Sequence, residues 1–175
     1  MISKIKYRYW QFWQSLKGSP GENDWQRVKE ILSPEELSLF KQLPIPDQNH
    51  SLRVLKTLEA DDEGDPDLLK AALLHDLGKI KHPLRRWERV FAVLVMAIFP
   101  ERHLKWGMGD PFGIKRALVV IKQHPGWGAD LASVAGSDPM TVWLIRNHET
   151  RLPGGSGSNG DLFLLDKLKK ADNQN

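Results

Sequence analysis

The chain has 175 residues, 41% hydrophobic and 27% charged, with 25 Lys plus Arg against 22 Asp plus Glu. This is about one globular domain able to bury its own core, and the composition excludes a disordered or fibrous chain. The net charge of +3 permits anionic substrates without demanding nucleic acid, and the absence of cysteine excludes a disulfide framework, a thiolate metal site and a cysteine nucleophile.

No continuous apolar stretch follows Met1-Ile2-Ser3-Lys4, so no signal peptide is expected, and a cysteine-free chain fits the cytoplasm. Ile5 to Trp13 is dense in aromatic and basic residues. It reads first as a helical face packed on the core, with a membrane or nucleic-acid contact as the alternative. Gly18-Ser19-Pro20-Gly21 breaks the chain. Asn23 or Asp24 can cap a helix carrying Trp25, Val28, Ile31 and Leu32, and Ser33-Pro34-Glu35-Glu36 is a second helix start.

After Pro44-Ile45-Pro46, Asp47 can cap a helix with Leu52, Leu55 and Leu58 on one face and His50 in its first turn. A charged turn, 61–66, leads to a helix that begins near Asp67. It ends at His75-Asp76, with Gly78 able to adopt the left-handed conformation that closes a helix. The apolar run Val90 to Phe99 is too short to cross a bilayer and reads as a buried core helix. Helices over Phe112 to Lys122, ending at His124-Pro125, and over Asp130 to Ala135 are expected next. Asp138-Pro139 opens one that delivers Arg146, Asn147 and His148. Pro153 to Gly160 is a loop, either a lid or an idle connector, before a last helix over Leu162 to Ala171 that brings in Asp172. No run alternates at period two, so the fold class is all-α.

His75-Asp76 is the most informative pair. It places an imidazole and a carboxylate side by side behind an apolar run, and His50, His124, His148 and Asp172 are available to complete a metal site. The two carboxylates give that set a charge of −2, so one divalent ion would neutralise it and two would leave it at +2. Mixed nitrogen and oxygen ligands suit iron, manganese, zinc, cobalt or nickel more than calcium or magnesium. A divalent ion lowers the pKa of bound water, and two ions can clamp a phosphoryl oxygen. His82 and His103 lack such partners and read as structural or solvent-facing.

The ordered set His50, His75-Asp76, His124, His148, Asp172 resembles the HD-domain metal-dependent phosphohydrolase superfamily, and His75-Asp76-Leu77-Gly78-Lys79 resembles the HDIG form of its central signature. The resemblance extends through His124-Pro125-Gly126-Trp127, Asn147-His148-Glu149 and Lys170-Ala171-Asp172-Asn173, over about residues 47 to 173. It implies a compact helical bundle with the metal site at its centre. The division of the chain expected from it is an N-terminal helical segment, 1–46, packed on an HD-type core, 47–175. By resemblance, His50, His75, Asp76 and Asp172 bind a first ion, Asp76 bridges to a second, and His124 and His148 complete it. Lys79 would contact phosphate or the attacking hydroxide. Arg146 and Arg151, flanking the His148 segment, are further candidates for phosphate contacts by charge and position.

Departures from the cyclic-dinucleotide branch of the superfamily argue against a third metal and against cyclic di-GMP specificity. Asn147 stands where that branch has a histidine, Pro46 where it can have a glutamate, and residues 153–160 hold no Gly-Tyr-Pro. The expected activity is cleavage of a P–O ester in a nucleotide-like or small phosphorylated substrate by metal-activated hydroxide, as a phosphomonoesterase or phosphodiesterase. The alternatives are a di-iron oxygenase of the same superfamily and a non-catalytic binding module stabilised by its metals. The partner expected is a small anionic substrate; oligomeric state is left open.

Overall fold

Local polar residues set where the helices start. Ser33 accepts the Glu36 amide at 3.2 Å while Glu36 accepts the Ser33 amide at 2.8 Å, a reciprocal cap that opens α2 (Pro34–Phe40). Ser158 and Asp161 make the same pair at the start of α8 (Asn159–Gln174). Asp65 accepts the Leu68 amide and opens α4 (Pro66–Leu74), with Pro66 at its first position. Between these lie α1 (Glu22–Ile31), α3 (Ile45–Ala60), α5 (Arg86–Ile98), α6 (Arg116–Val134) and α7 (Pro139–Asn147), with short 3₁₀ turns at Leu77–Ile80 and Gly113–Lys115.

The computed structural model describes residues 18–99, 105–150 and 158–175; the aromatic-basic N-terminus, His103, Arg151 and residues 153–157 lie outside them. The described residues are all-α, with no strand among them. No described helix is long and apolar enough to cross a membrane.

α4 is the axis of the bundle. Leu68, Leu69, Ala71, Ala72, Leu73 and Leu74 are all buried, and the helix touches α1, α2, α3, α7 and α8. Apart from Asp67 and Lys70, which pair with Thr141 and Asp138, the helix is apolar on most of its circumference, and its neighbours cover it with Val28, Phe40, Leu55, Leu58, Leu144, Ile145, Leu165 and Leu168. The last turn of α4 therefore carries His75 and Asp76 into the middle of the molecule, where they are 1% and 2% exposed.

Several local expectations give way to packing. The cap of α1 is Gly21, whose amide donates to Asp24 at 3.3 Å, two or three residues earlier than Asn23 or Asp24 would place it. Asp47 is not a cap: α3 has already begun at Ile45, His50 falls in its second turn, and the buried Asp47 carboxylate holds Arg89 of α5 through two bonds of 2.7 Å. The last helix begins at Asn159, so Ser158, Asn159 and Gly160 belong to it and its cap, not to the preceding loop.

α5 also departs from expectation. Ala92 and Val95 pack on Ala117 and Leu118 of α6, but Trp87, Val90, Leu94 and Ile98 are exposed. Apolar character on all sides predicts burial on all sides, yet α5 lies at the edge of the bundle and only one face is covered by described residues.

Gly78 is not left-handed. It lies in the 3₁₀ turn, and its role is to let backbone approach backbone: a Cβ there would collide with the His124 carbonyl and lie 2.8 Å from the His124 Cα. Across the same contact, a Cβ on Gly128 would lie 3.0 Å from the Gly78 nitrogen. Because both sides are main chain, relief requires moving the turn away from α6. Gly78→Ala is therefore expected to cost about 3 kcal/mol and to lower the melting temperature by several degrees, measured by calorimetry, whereas Gly64→Ala, with open space around it, should change little.

Candidate metal centre

Three buried histidines reach the centre by the same local device. His75 caps the end of α4 and His148 the end of α7, where the last helical carbonyls lack amide partners. The Nδ1 of His75 meets the Ala72 carbonyl at 2.9 Å, and that of His148 meets the Ile145 carbonyl at 2.7 Å. His124 has no helix end available, because α6 runs unbroken from Arg116 to Val134 and does not stop at His124-Pro125 as its sequence suggests. Pro125 supplies the equivalent. Its missing N–H frees the Ile121 carbonyl one turn back, and the His124 Nδ1 takes it at 2.8 Å. The proline thus stays inside the helix, and the carbonyl it leaves open orients a ligand.

A carbonyl can only accept, so Nδ1 carries the proton in all three rings and the neutral ring keeps its lone pair on Nε2. Those Nε2 atoms converge on Asp76. His124 Nε2 lies 3.3 Å and His75 Nε2 3.7 Å from Asp76 Oδ1, and His124 Nε2 is 3.2 Å from His148 Nε2. Burial first, then the neighbouring His75 and His124, push His148 down to about 3, which makes it a neutral acceptor near pH 7. Two acceptor nitrogens facing each other at hydrogen-bond distance need something positive between them. The buried His75 Nε2 also lacks a hydrogen-bond partner among the described residues.

A second group also includes Asp76. His50, on α3, donates from Nε2 to Asp172 Oδ1 at 2.8 Å, and His75 Nε2 is 3.8 Å from the same oxygen. Burial alone would raise the Asp172 carboxyl; the His50 hydrogen bond and the nearby His75 outweigh it and hold it well below the usual carboxylate range. Asp76 is likewise held low, since Lys79, His75 and His124 together overcome its burial. The candidate ligand atoms of His50, His75 and Asp76 all lie within 4.8 Å of one another, as do those of Asp76, His124 and His148. Asp76 belongs to both groups. The donor set of imidazoles and carboxylates, with an orphaned buried Nε2 and two opposed acceptors, fits divalent transition metals.

Of the other predicted residues, Lys79 is at the centre, its ammonium 2.6 Å from Asp76 Oδ2. Burial would lower it, but Asp76 and then Asp47 raise it, so it stays charged. Arg146 is elsewhere: exposed on α7, it pairs with Asp130 of α6 at 2.7 Å. His82 packs against Trp127 with the rings tilted, centroids 5.2 Å apart. The Asp47–Arg89 pair is what the sequence reading missed. The signal for Asp47 was its place one turn before His50 on the same face of α3; for Arg89, 42 residues away, there was none.

A comparison with known families matches residues 48–173 to the HD domain. No curated protein and no solved structure matches the chain.

Two measurements test this centre. Zinc or manganese at about 100 times its dissociation constant should stabilise the protein by about 2.7 kcal/mol, read as a rise in melting temperature that a chelator reverses. In metal-free protein, a histidine whose folded pKa is depressed contributes stability above its unfolded value and loses it as pH falls. Stability should therefore decline from about 6.5 towards about 3 on account of His148, by at most about 1.4 kcal/mol per pH unit for that proton. His148→Gln should flatten the slope in pH-dependent urea melts.

Proposed function

The chain belongs to the HD domain family, which is of metal-dependent hydrolase type, and on that premise we propose that it is a phosphohydrolase cleaving a P–O ester bond of a nucleotide-like or small phosphorylated substrate. The observation that carries this reading is the sharing of Asp76 between two ligand groups, which suits a two-ion centre. His50, His75, Asp76 and Asp172 would hold one ion and Asp76, His124 and His148 the other, iron, manganese, zinc, cobalt and nickel all being compatible. When bound, such ions supply Lewis acidity at a phosphoryl oxygen and bring the pKa of water towards neutrality.

The remaining work falls to side chains. The Nδ1 contacts hold three rings in a fixed tautomer, so no reorganisation is needed at the moment of reaction. The bond from His50 Nε2 to Asp172 holds these two side chains together, and an ion bound by both would replace it. Lys79 is the one cation among the described residues directly hydrogen-bonded to Asp76, and its ammonium would donate to a phosphoryl oxygen as negative charge develops there. Arg146 and Arg151 remain candidates for more distant contacts, Arg146 after release from Asp130.

The test is a screen of nucleotides and phosphate-ester reporters with manganese-loaded protein under anaerobic conditions. Phosphate release is expected, and Asp76→Ala should lose both turnover and bound metal; turnover retained in that variant would refute the assignment. Lys79→Ala should keep its metal and lose about 10²–10³ in kcat, the scale set by removing one preorganised donor. Oxygen consumption by iron-loaded protein without phosphate release would move the reading to a di-iron oxygenase. Retained metal with no turnover across the panel would favour a binding module.

A further inference from the structure

Exposure shows which side of the centre opens to solvent. His75, Asp76, His124 and His148 are closed off, whereas the side chains of His50, Asp172 and Lys79 are each about one-fifth exposed. Substrate must therefore arrive on the His50, Asp172 and Lys79 side. Asp47 lies on that side, one helical turn before His50 on the same face of α3. Its carboxylate, 3% exposed, would repel an approaching anion unless neutralised.

Arg89 neutralises it. The guanidinium reaches across from α5, binds both carboxylate oxygens at 2.7 Å, and leaves 34% of its side chain open to solvent. Its Nε makes a weaker contact with the Leu84 carbonyl at 3.4 Å. Among the described residues three of its five N–H groups are then engaged, which leaves two for a ligand. The fork is fixed in position before any ligand arrives, so little side-chain entropy remains to be lost on binding. A strap between α3 and α5 gives no reason for these charges, because an apolar pair of similar shape is often as stable as a buried ion pair. Arg146 lacks these properties, since both it and Asp130 are on the open surface.

We propose that Arg89, held by Asp47, forms with Lys79 a two-cation seat for the anionic group of the substrate at the mouth of the metal centre. Asp47 is its positioning residue. This rests on the phosphohydrolase reading and adds to it a specificity-determining residue: substrates carrying a phosphate, and above all those with a second anionic group beyond the scissile one, are favoured over neutral analogues.

Inorganic phosphate is the probe. Its affinity for manganese-loaded protein is measured by calorimetric titration in the parent, Arg89→Gln and Arg89→Lys, alongside metal content, melting temperature and, on any ester the parent hydrolyses, KM and kcat. Arg89→Gln is expected to bind phosphate about tenfold more weakly, the scale of losing one charge-assisted hydrogen bond, with KM raised in proportion, kcat changed less and metal content unchanged. Arg89→Lys keeps the charge without the fork and should recover part of the loss. Parent-like phosphate affinity in Arg89→Gln, with or without a lower melting temperature, would make the pair a strap and overturn the proposal. If Arg89→Gln does not fold, parent-like affinity in Arg89→Met, which also removes the charge, overturns it equally. A parent that hydrolyses phosphate esters while Arg89→Gln is unaltered sinks this inference alone; a metal-loaded parent that neither binds phosphate nor hydrolyses any ester sinks it together with the reading beneath it.

Discussion

Three buried imidazoles whose Nδ1 protons are each committed to a carbonyl one turn back are the constraint on which the centre depends. An unrestrained histidine beside Asp76 would turn an N–H towards the carboxylate and settle as an ordinary buried hydrogen bond. Here the donor is already taken, by Ala72 for His75, Ile121 for His124 and Ile145 for His148. The lone pairs must then face inward, and the 3.2 Å between His124 and His148 Nε2 follows as an unfavourable contact in the absence of a cation. A fold stabilised only by its own packing would have no use for that arrangement. It is the electrostatic counterpart of a cavity shaped for a ligand.

Each committed carbonyl comes from a place where a helix cannot use it. His75 and His148 exploit helix ends, and His124 exploits the interruption made by Pro125. The rings are then brought to one point by main-chain proximity. Gly78 and Gly128 allow the turn after Asp76 to lie against α6 with no side chain between them, which carries His124 to Asp76. The six buried apolar residues of α4 anchor the turn, since the helix cannot shift without uncovering them. Packing supplies position, and hydrogen bonds supply orientation.

Much of this was legible in the sequence because it is local. The helix starts at Ser33 and Asp138-Pro139, the apolar positions of α4 and the candidate series His50, His75-Asp76, His124, His148, Asp172 are written in residue types and spacing, and these side chains do lie close together. What was not legible depends on distant partners. Pro125 reads as a helix end until the His124 ring is seen to use the carbonyl it frees. Asp47 reads as a cap because nothing nearby announces Arg89. Gly78 reads as a left-handed stop because a helix ends beside it, whereas its actual reason, the His124 main chain, lies 46 positions on. The apolar run in α5 predicts burial, but periodicity does not say how many faces find a neighbour.

The centre also explains an asymmetry of charge. Its inner ligands are sealed among apolar side chains, while its cations, Lys79 and Arg89, stand towards solvent beside the carboxylates they offset. That order suits an anion that enters from outside and meets metal within. Its premise is that Asp76 joins two ligand groups into one site. Metal stoichiometry measured by elemental analysis after equilibrium dialysis is the most direct test of it. The proposed two-ion centre predicts two divalent ions per chain in the parent and the loss of both in Asp76→Ala; a single ion per chain, or two ions that survive that substitution, would contradict it.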